Sequence, residues 1–312
     1  NLKQLFAQIG LASAFCVCLF SAISAQQTTT YITEIDSYRE ALQLFQQKQF
    51  GAAQRLFVRA IGEVDDPKSE IAVNSEYYSA LCAVELFHKD AEHLVKEFIA
   101  DHPESQWVRH AHFQLGRYNY RKRKWQKVIT YMAAVNVYDL TEKERSEFYF
   151  DLGYSHFMQE DYEKASNMFY EIKDAETPYF APAQFYYGHI NYDLGNYETA
   201  LQSFRQVENH EKFGRLVPYY IAQIFYQQKN YDKLLDYAPK LLDNAVPSRA
   251  SEIARLIADA YYSTERYQES IPFFQLYLQK AQRPTREDQY QLAYAYYLTK
   301  DYENAGAYFT KL

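Results

Sequence analysis

Glycine is scarce in this chain of 312 residues, with 9 in all, under half of the roughly 7 % usual in proteins. The two nearest, Gly188 and Gly195, stand seven positions apart. No G-x-G-x-x-G turn, Walker loop or G-x-S-x-G elbow can therefore be drawn, and the enzymes that depend on them are excluded. Cysteine is nearly absent, at Cys16, Cys18 and Cys82 only. Positive charge is outnumbered, 33 basic residues against 40 acidic, for a net charge of −7. Such a balance is wrong for general nucleic-acid binding, which needs Lys and Arg to neutralise phosphates. A mean hydropathy of −0.51 excludes a multi-span membrane protein. What is abundant is the aromatic ring: 32 tyrosines and 21 phenylalanines within 48 % hydrophobic residues. That content rules out a disordered chain and places aromatic burial at the centre of the fold.

The first 25 residues differ from the rest. Lys3 gives a short positive start, an apolar run follows from Ile9 to Phe20, and Ser21-Ala22-Ile23-Ser24-Ala25 precede a polar Gln-Thr stretch. This is the three-part pattern of a secretory signal, with cleavage expected after Ala25. The apolar run falls short of the ~20 residues needed to span a bilayer, and an uncleaved anchor is the other reading. Residues 26–33 read as a short linker. Cys16 and Cys18 lie inside the signal and lack a lipobox-like triplet before them. Cys82 then stands alone in the mature chain and is read as a small buried hydrophobe.

Self-similarity governs residues 34–312. A small residue is followed nine positions later by an aromatic, then by a small residue three further on and a large apolar four beyond that. Gly153/Tyr162/Ala165/Phe169, Gly188/Tyr197/Ala200/Phe204 and Ala293/Tyr302/Ala305/Phe309 are full sets. Looser ones begin at Ala41, Ser79, Gly116, Ala222 and Ala258, Ser79/His88/Ala91/Val95 being the loosest. The first small position thus recurs at intervals of 38, 37, 37, 35, 34, 36 and 35 residues. Unit starts are placed near 34, 72, 109, 146, 181, 215, 251 and 286. Within one unit the small residue of a first helix, A, lets a second helix, B, approach. The Ala–Phe pair of B, four apart, forms the facing stripe, and the aromatic at the start of B fills the bend. Pro67, Pro103, Pro178, Pro247 and Pro284 fall at unit junctions. Pro272 and Pro239 fall inside B helices, and a kink is expected at Pro239.

In Leu152-Gly153…Tyr162-x-x-Ala165-x-x-x-Phe169…Pro178 the chain resembles the tetratricopeptide repeat (TPR) family. The resemblance covers nearly all of residues 34–312. It implies an all-α, right-handed TPR solenoid of about eight helix-turn-helix repeats with the last incomplete, and hence a piece of a longer repeat protein. It also implies neighbours stacked to bury faces that one hairpin cannot cover. Phe98-Ile-Ala-Asp-His-Pro103-Glu-Ser leading into Phe113-Gln-Leu-Gly116 is similar to Tol–Pal-associated and outer-membrane-protein-assembly TPR proteins over about one repeat.

Catalytic constellations are wanting. His110 and His112, two apart, point to different helix faces. Glu85, His88 and Glu92 have helical spacing, but His88 takes the bend position. No carboxylate pair stands in an apolar setting that sequence can identify. The reading is no enzyme, no cofactor and no metal.

Two surfaces remain. By resemblance the fifth, ninth, twelfth and thirteenth positions of each unit face a concave groove. They supply Phe113, Arg117, Tyr120, Phe150, Phe157, Phe185, His189, Tyr192, Tyr219, Tyr226, Tyr262, Tyr290 and Tyr297 as groove candidates. These rings either form an exposed aromatic ladder or seal the packing between neighbouring A helices. The second surface is a basic patch, Arg121-Lys122-Arg123-Lys124 with Lys127. It reads either as a site for an acidic partner, polyanionic envelope polymer or anionic lipid, or as a solvated turn. The expectation is a non-catalytic exported scaffold that binds a protein or peptide partner in the groove, in the periplasm or at the outer-membrane periphery of a Gram-negative bacterium. It is expected to bind no nucleic acid and to keep no integral span after cleavage. The alternative is glycan or cell-wall polymer binding along the ladder.

Overall fold

A computed structural model describes residues 36–245, 247–281 and 284–312. The signal (1–25) and the linker (26–33) lie outside the described residues.

Helix follows helix along the described chain, with no strand among the described residues. In order they are residues 36–46 (α1), Phe50–Glu63 (α2), Glu70–Glu85 (α3), Ala91–Asp101 (α4), Val108–Arg121 (α5), Trp125–Met132 (α6), Glu142–Met158 (α7) and Tyr162–Tyr170 (α8). Then come Phe180–Asp193 (α9), Tyr197–Val207 (α10), Val217–Gln227 (α11), Tyr231–Tyr237 (α12), Pro247–Ser263 (α13), Tyr267–Lys280 (α14), Arg286–Leu298 (α15) and Tyr302–Phe309 (α16). Odd numbers are A helices and even numbers B helices, so the fold is an all-α helical repeat. Two compact units divide the chain, one up to Ser155 and one from His156 onward, with the boundary inside α7. No helix of the described residues is long and apolar enough to cross a membrane.

The stripes read from the sequence are the core. In the B helices Ala53, Ala91, Val128, Ala165, Ala200, Leu234, Ser270 and Ala305 are buried, and so are Phe57, Val95, Met132, Phe169, Phe204, Ala238 and Phe274 four positions on. Phe309, the last of that row, is exposed. In the A helices Ala41, Gly116, Gly188, Ala222, Ala258 and Ala293 face them from buried positions. The contact is close: a Cβ built on Gly188 would stand 2.9 Å from the Phe204 ring, and one on Gly116 would stand 2.7 Å from Met132 Cγ.

Each A–B bend has one construction. A residue with left-handed φ ends the A helix: Lys48, Phe87, Arg123, Glu160, Gly195, Lys229, Glu265 and Lys300. The N–H after it bonds the carbonyl five residues back, and its own N–H bonds the carbonyl three back, as in Asp161→His156 and Glu160→Phe157 (both 3.0 Å). This is the Schellman motif, which satisfies carbonyls that a helix end leaves orphaned. Outside the second hairpin the next residue opens the B helix, and Asp161, Asn230 and Asp301 cap it with side-chain oxygens.

Two sequence expectations are corrected. In the second hairpin the left-handed Phe87 puts the small buried residue at Ala80, while Ser79 is only half-buried. There five residues, 86–90, separate α3 from α4 against three in the other hairpins, and the packed Ala91 follows the left-handed residue by four positions instead of five, which is why the set at Ser79 fitted loosely. At Pro239 the helix breaks: α12 ends at Tyr237 and the chain continues as a 3₁₀ helix, Ala238–Asn244. A proline there lacks the N–H that would continue the α ladder. Pro272, by contrast, is carried within α14.

Candidate functional site

In the first unit, residues from α1, α3, α5 and the start of α7 line one groove of about 700 Å³. Phe45, Phe50, Tyr77, Tyr78, Leu81 and Trp107 give it an apolar lining. Polar lining comes from Gln46, Lys48, Glu85, His110, Gln114, Arg117, Asp139, Thr141, Lys143 and Glu144.

The lining is braced from helix to helix. The Tyr77 ring stacks on Trp107 at 4.8 Å, and the Trp107 indole N–H donates to Asn74 Oδ1 at 2.6 Å. The Tyr77 hydroxyl bonds His110 Nδ1, and His110 Nε2 lies 2.9 Å from Glu144 Oε1. An ionised Glu144 can only accept, so an imidazole proton sits on Nε2 and points at the carboxylate. The His110 bond, followed by bonds from Thr141, holds the Glu144 carboxyl down at about 2. Burial pushes the Tyr77 phenol well above its ordinary value. The order Tyr–His–Glu superficially resembles a catalytic relay. However, Tyr77 is 1 % exposed, so its phenol has no face to offer a substrate, and the trio is a brace.

Beside it, Arg117 Nε donates to Glu147 at 2.6 Å, and its Nη1 donates to Glu85 at 3.2 Å and to Gln114 at 2.8 Å. Arg117, expected as a groove handle, does line the groove, but its charge is spent between two carboxylates. Below it Asp151 is buried. Desolvation, then the nearby Glu147 charge, drives its carboxyl well above the usual range against Arg117 and Arg121.

Most predicted groove rings are packing. Phe113, Phe150 and Phe185 are buried. The twelfth-position rings Tyr120, Phe157, Tyr192, Tyr226, Tyr262 and Tyr297 each meet the first ring of the following B helix, at 5.3 to 6.3 Å between centroids. In the second unit the hydroxyls are consumed as well. Tyr192 donates to Gln223 (3.0 Å), Gln223 donates to Tyr219 (2.7 Å), and Tyr226 donates to Asp259 (3.3 Å). His189 Nδ1 sits 3.2 Å from the Asp193 carboxylate. Only Tyr290 and Tyr297 of the candidates are about half exposed, at 49 % and 51 %.

The basic patch is largely spent. Arg121 donates to the Val84 carbonyl at 3.0 Å, lies over the Phe87 ring at 4.4 Å and stands 3.6 Å from Glu85. Lys122 lies over the Tyr118 ring at 4.0 Å, and Lys127 reaches Glu92 at 2.6 Å. Arg123 is the left-handed residue of its bend, exposed like Lys124. Sequence clustering suggested a dense free charge, but the fold spends three of its five members on helix ends, rings and a carboxylate.

Sequence reasoning missed Tyr77, Trp107 and Glu144, and it weighed His110 only as a metal ligand beside His112. Their signal was present as spacing: Asn74–Trp107 and Tyr77–His110 are 33 apart, and His110–Glu144 are 34 apart, close to one repeat. Among the described residues no group of three or more His, Cys, Asp or Glu is placed to hold a metal ion.

The family profile "Tetratricopeptide repeat" matches residues 289–312, the stretch that holds α15 and α16. That hairpin matches as a tetratricopeptide repeat. No curated protein matches the chain. Among solved structures, the complex of Naa15/Naa10 bound to HypK-THB aligns with a TM-score of 0.56 and 14 % identity, over 84 % of this chain and 39 % of that one. At such identity the likeness speaks for the fold alone. MamA (AMB-1) aligns at 17 % identity over 54 % of this chain and 89 % of its own, with a TM-score of 0.47. A tetratricopeptide repeat protein from Parabacteroides merdae aligns at 16 % over 77 % and 91 %, with a TM-score of 0.44. The groove of the first unit is built mainly on A helices.

Proposed function

We propose that this chain is a non-catalytic, exported scaffold that holds a protein partner on the A-helix face of its TPR hairpins, in the cell envelope. The groove of about 700 Å³ on the first unit carries this reading. It is of the size that takes several side chains, and its aromatic lining is the type that dominates interface energetics. The signal-like residues 1–25 support export, and the likeness of residues 98–116 to envelope-assembly repeats supports the setting. The test is cross-linking of the epitope-tagged full chain in cells, fractionation, and mass spectrometry of what is joined to it. A partner cross-linked through groove residues in the envelope fraction supports the proposal. A chain that stays in the cytoplasm, or cross-links only through its B helices, refutes it.

Glycan binding is the second reading, favoured by the exposed rings of Tyr290, Tyr297 and Tyr302 (62 %), which offer stacking surface. A glycan array with wild type and a Tyr290→Ala/Tyr297→Ala variant separates the two.

A further inference from the structure

The charges around the first unit's groove do not balance once their partners are counted. Three acids line it, and each is engaged. Glu85 is held by Arg117 and Arg121, Glu144 by His110 and Thr141, and Asp139 by Arg109 at 3.0 Å. Arg117 is spent between Glu85 and Glu147, and His110 is engaged with Glu144 through Nε2. Lys48 and Lys143 also line the groove. Both are exposed, and among the described residues neither ammonium has an ion-pair or hydrogen-bond partner. Lys48 sits at the bend between α1 and α2, Lys143 in the first turn of α7. Two unanswered positive charges therefore flank an aromatic lining whose polar atoms, at Tyr77 and Trp107, are already bonded inside the protein.

We propose that this groove receives an acidic peptide segment anchored by an aromatic side chain, the ring lying on the apolar lining and flanking carboxylates meeting Lys48 and Lys143. This deepens the scaffold reading and rests on it. A partner rich in lysine would meet two like charges and find no free acid, since Glu85, Glu144 and Asp139 could answer it only by leaving their present partners. A purely apolar segment would leave both ammoniums unanswered. Because two lysines on separate elements supply the charge, the flanking acids need not be a chain terminus, and an internal segment fits as well as an end.

The fold provides a clean variant. Glutamate occupies the left-handed bend position at Glu160 and Glu265, so Lys48→Glu keeps a residue that this bend accepts elsewhere. Lys143→Glu changes an exposed first-turn residue, where an acid suits the helix dipole. The probes are short fluorescein-labelled peptides with amidated C-termini: a phenylalanine flanked by aspartates and glutamates, the same with lysines as flanks, and the acidic one with alanine at the centre. Anisotropy is read with the full chain at low and high salt. The expected result is binding of the acidic phenylalanine peptide that weakens with salt, with loss for the alanine and lysine versions. The double reversal should weaken the acidic peptide by about tenfold or more and improve the lysine one. Equal binding of all three peptides, no binding of any, or indifference to the reversal overturns the proposal. If the cross-linked envelope partner is still captured by the reversed variant, the acidic occupant is wrong and the scaffold stands. If wild type captures no partner at all, the scaffold reading itself fails.

Discussion

The rings of Tyr262 and Tyr267 meet edge-on, 5.3 Å between centroids and 75° between planes, across the bend from α13 to α14. The residue between them that turns the chain is Glu265, with φ of 60°. Phe45–Phe50, Tyr120–Trp125, Phe157–Tyr162, Tyr192–Tyr197, Tyr226–Tyr231 and Tyr297–Tyr302 repeat the pairing, edge-on or tilted, with 54° to 70° between planes. The ring pair clamps a bend whose backbone is left-handed, and in seven of eight bends the residue there is not glycine. Left-handed φ costs a non-glycine residue roughly 1 kcal/mol, which is comparable to what an edge-to-face pair returns.

Opposite signs are therefore expected at the bends. Glu265→Gly and Lys300→Gly should each stabilise by up to about 1 kcal/mol, whereas Gly195→Ala should cost about that much. Tyr267→Ala, which removes the clamp and part-buried ring area, should cost about 1–2 kcal/mol. Thermal melts of the four variants check the order. A Glu265→Gly variant less stable than wild type would overturn it.

Glycines inside helices should split by what faces them. Gly188→Ala forces the buried Phe204 ring to move, against a contact of 2.9 Å, and should lower stability by about 1–2 kcal/mol. Gly306→Ala meets nothing within 4 Å and should raise it by about 0.5–1 kcal/mol through helix propensity. Denaturant titration distinguishes them.

Two carboxyls should shape the pH profile in opposite directions. Burial, opposed by Arg255, lifts Asp259 to about 6. A raised carboxyl binds its proton more tightly when folded, so its contribution is full below about 4 and is lost as pH rises through about 6. Asp259→Asn keeps an oxygen for the Tyr226 hydroxyl and should flatten that decline, which is worth up to about 2 kcal/mol. Glu144, held down at about 2 by His110, contributes above about 4.5 and loses that contribution as pH falls toward about 2. Glu144→Gln should shallow the acid limb. Melts across pH with the two variants read both effects.

The Cys82 thiol is buried, and desolvation pushes it up to about 12. In the folded protein it should resist a thiol reagent at mildly alkaline pH and react once denaturant is added. Rapid labelling of the native protein would contradict that.

The repeat was legible because a hairpin's core needs small and large residues at fixed offsets, and Gly188, Ala200 and Phe204 hold those offsets whatever their neighbours do. The bend at Phe87 hid a one-residue shift, since nothing local marks a phenylalanine as left-handed. The groove was less legible. Phe113 and Tyr192 stand on the stripe expected to face a ligand, yet the packing turns one into the core and pairs the other with Tyr197. Arg117 and Arg121 read as free charge because their acids, Glu85 and Glu147, are 30 to 36 residues away in the chain.

By itself the sequence determined the alternation of helices and the identity of the buried stripe, because both follow from spacing within a few turns of one chain segment. Only the tertiary structure decided which rings and charges are left over. That depends on what each residue meets one repeat away, where Trp107 finds Asn74, His110 finds Tyr77 and Glu144, and Lys48 and Lys143 find no partner among the described residues.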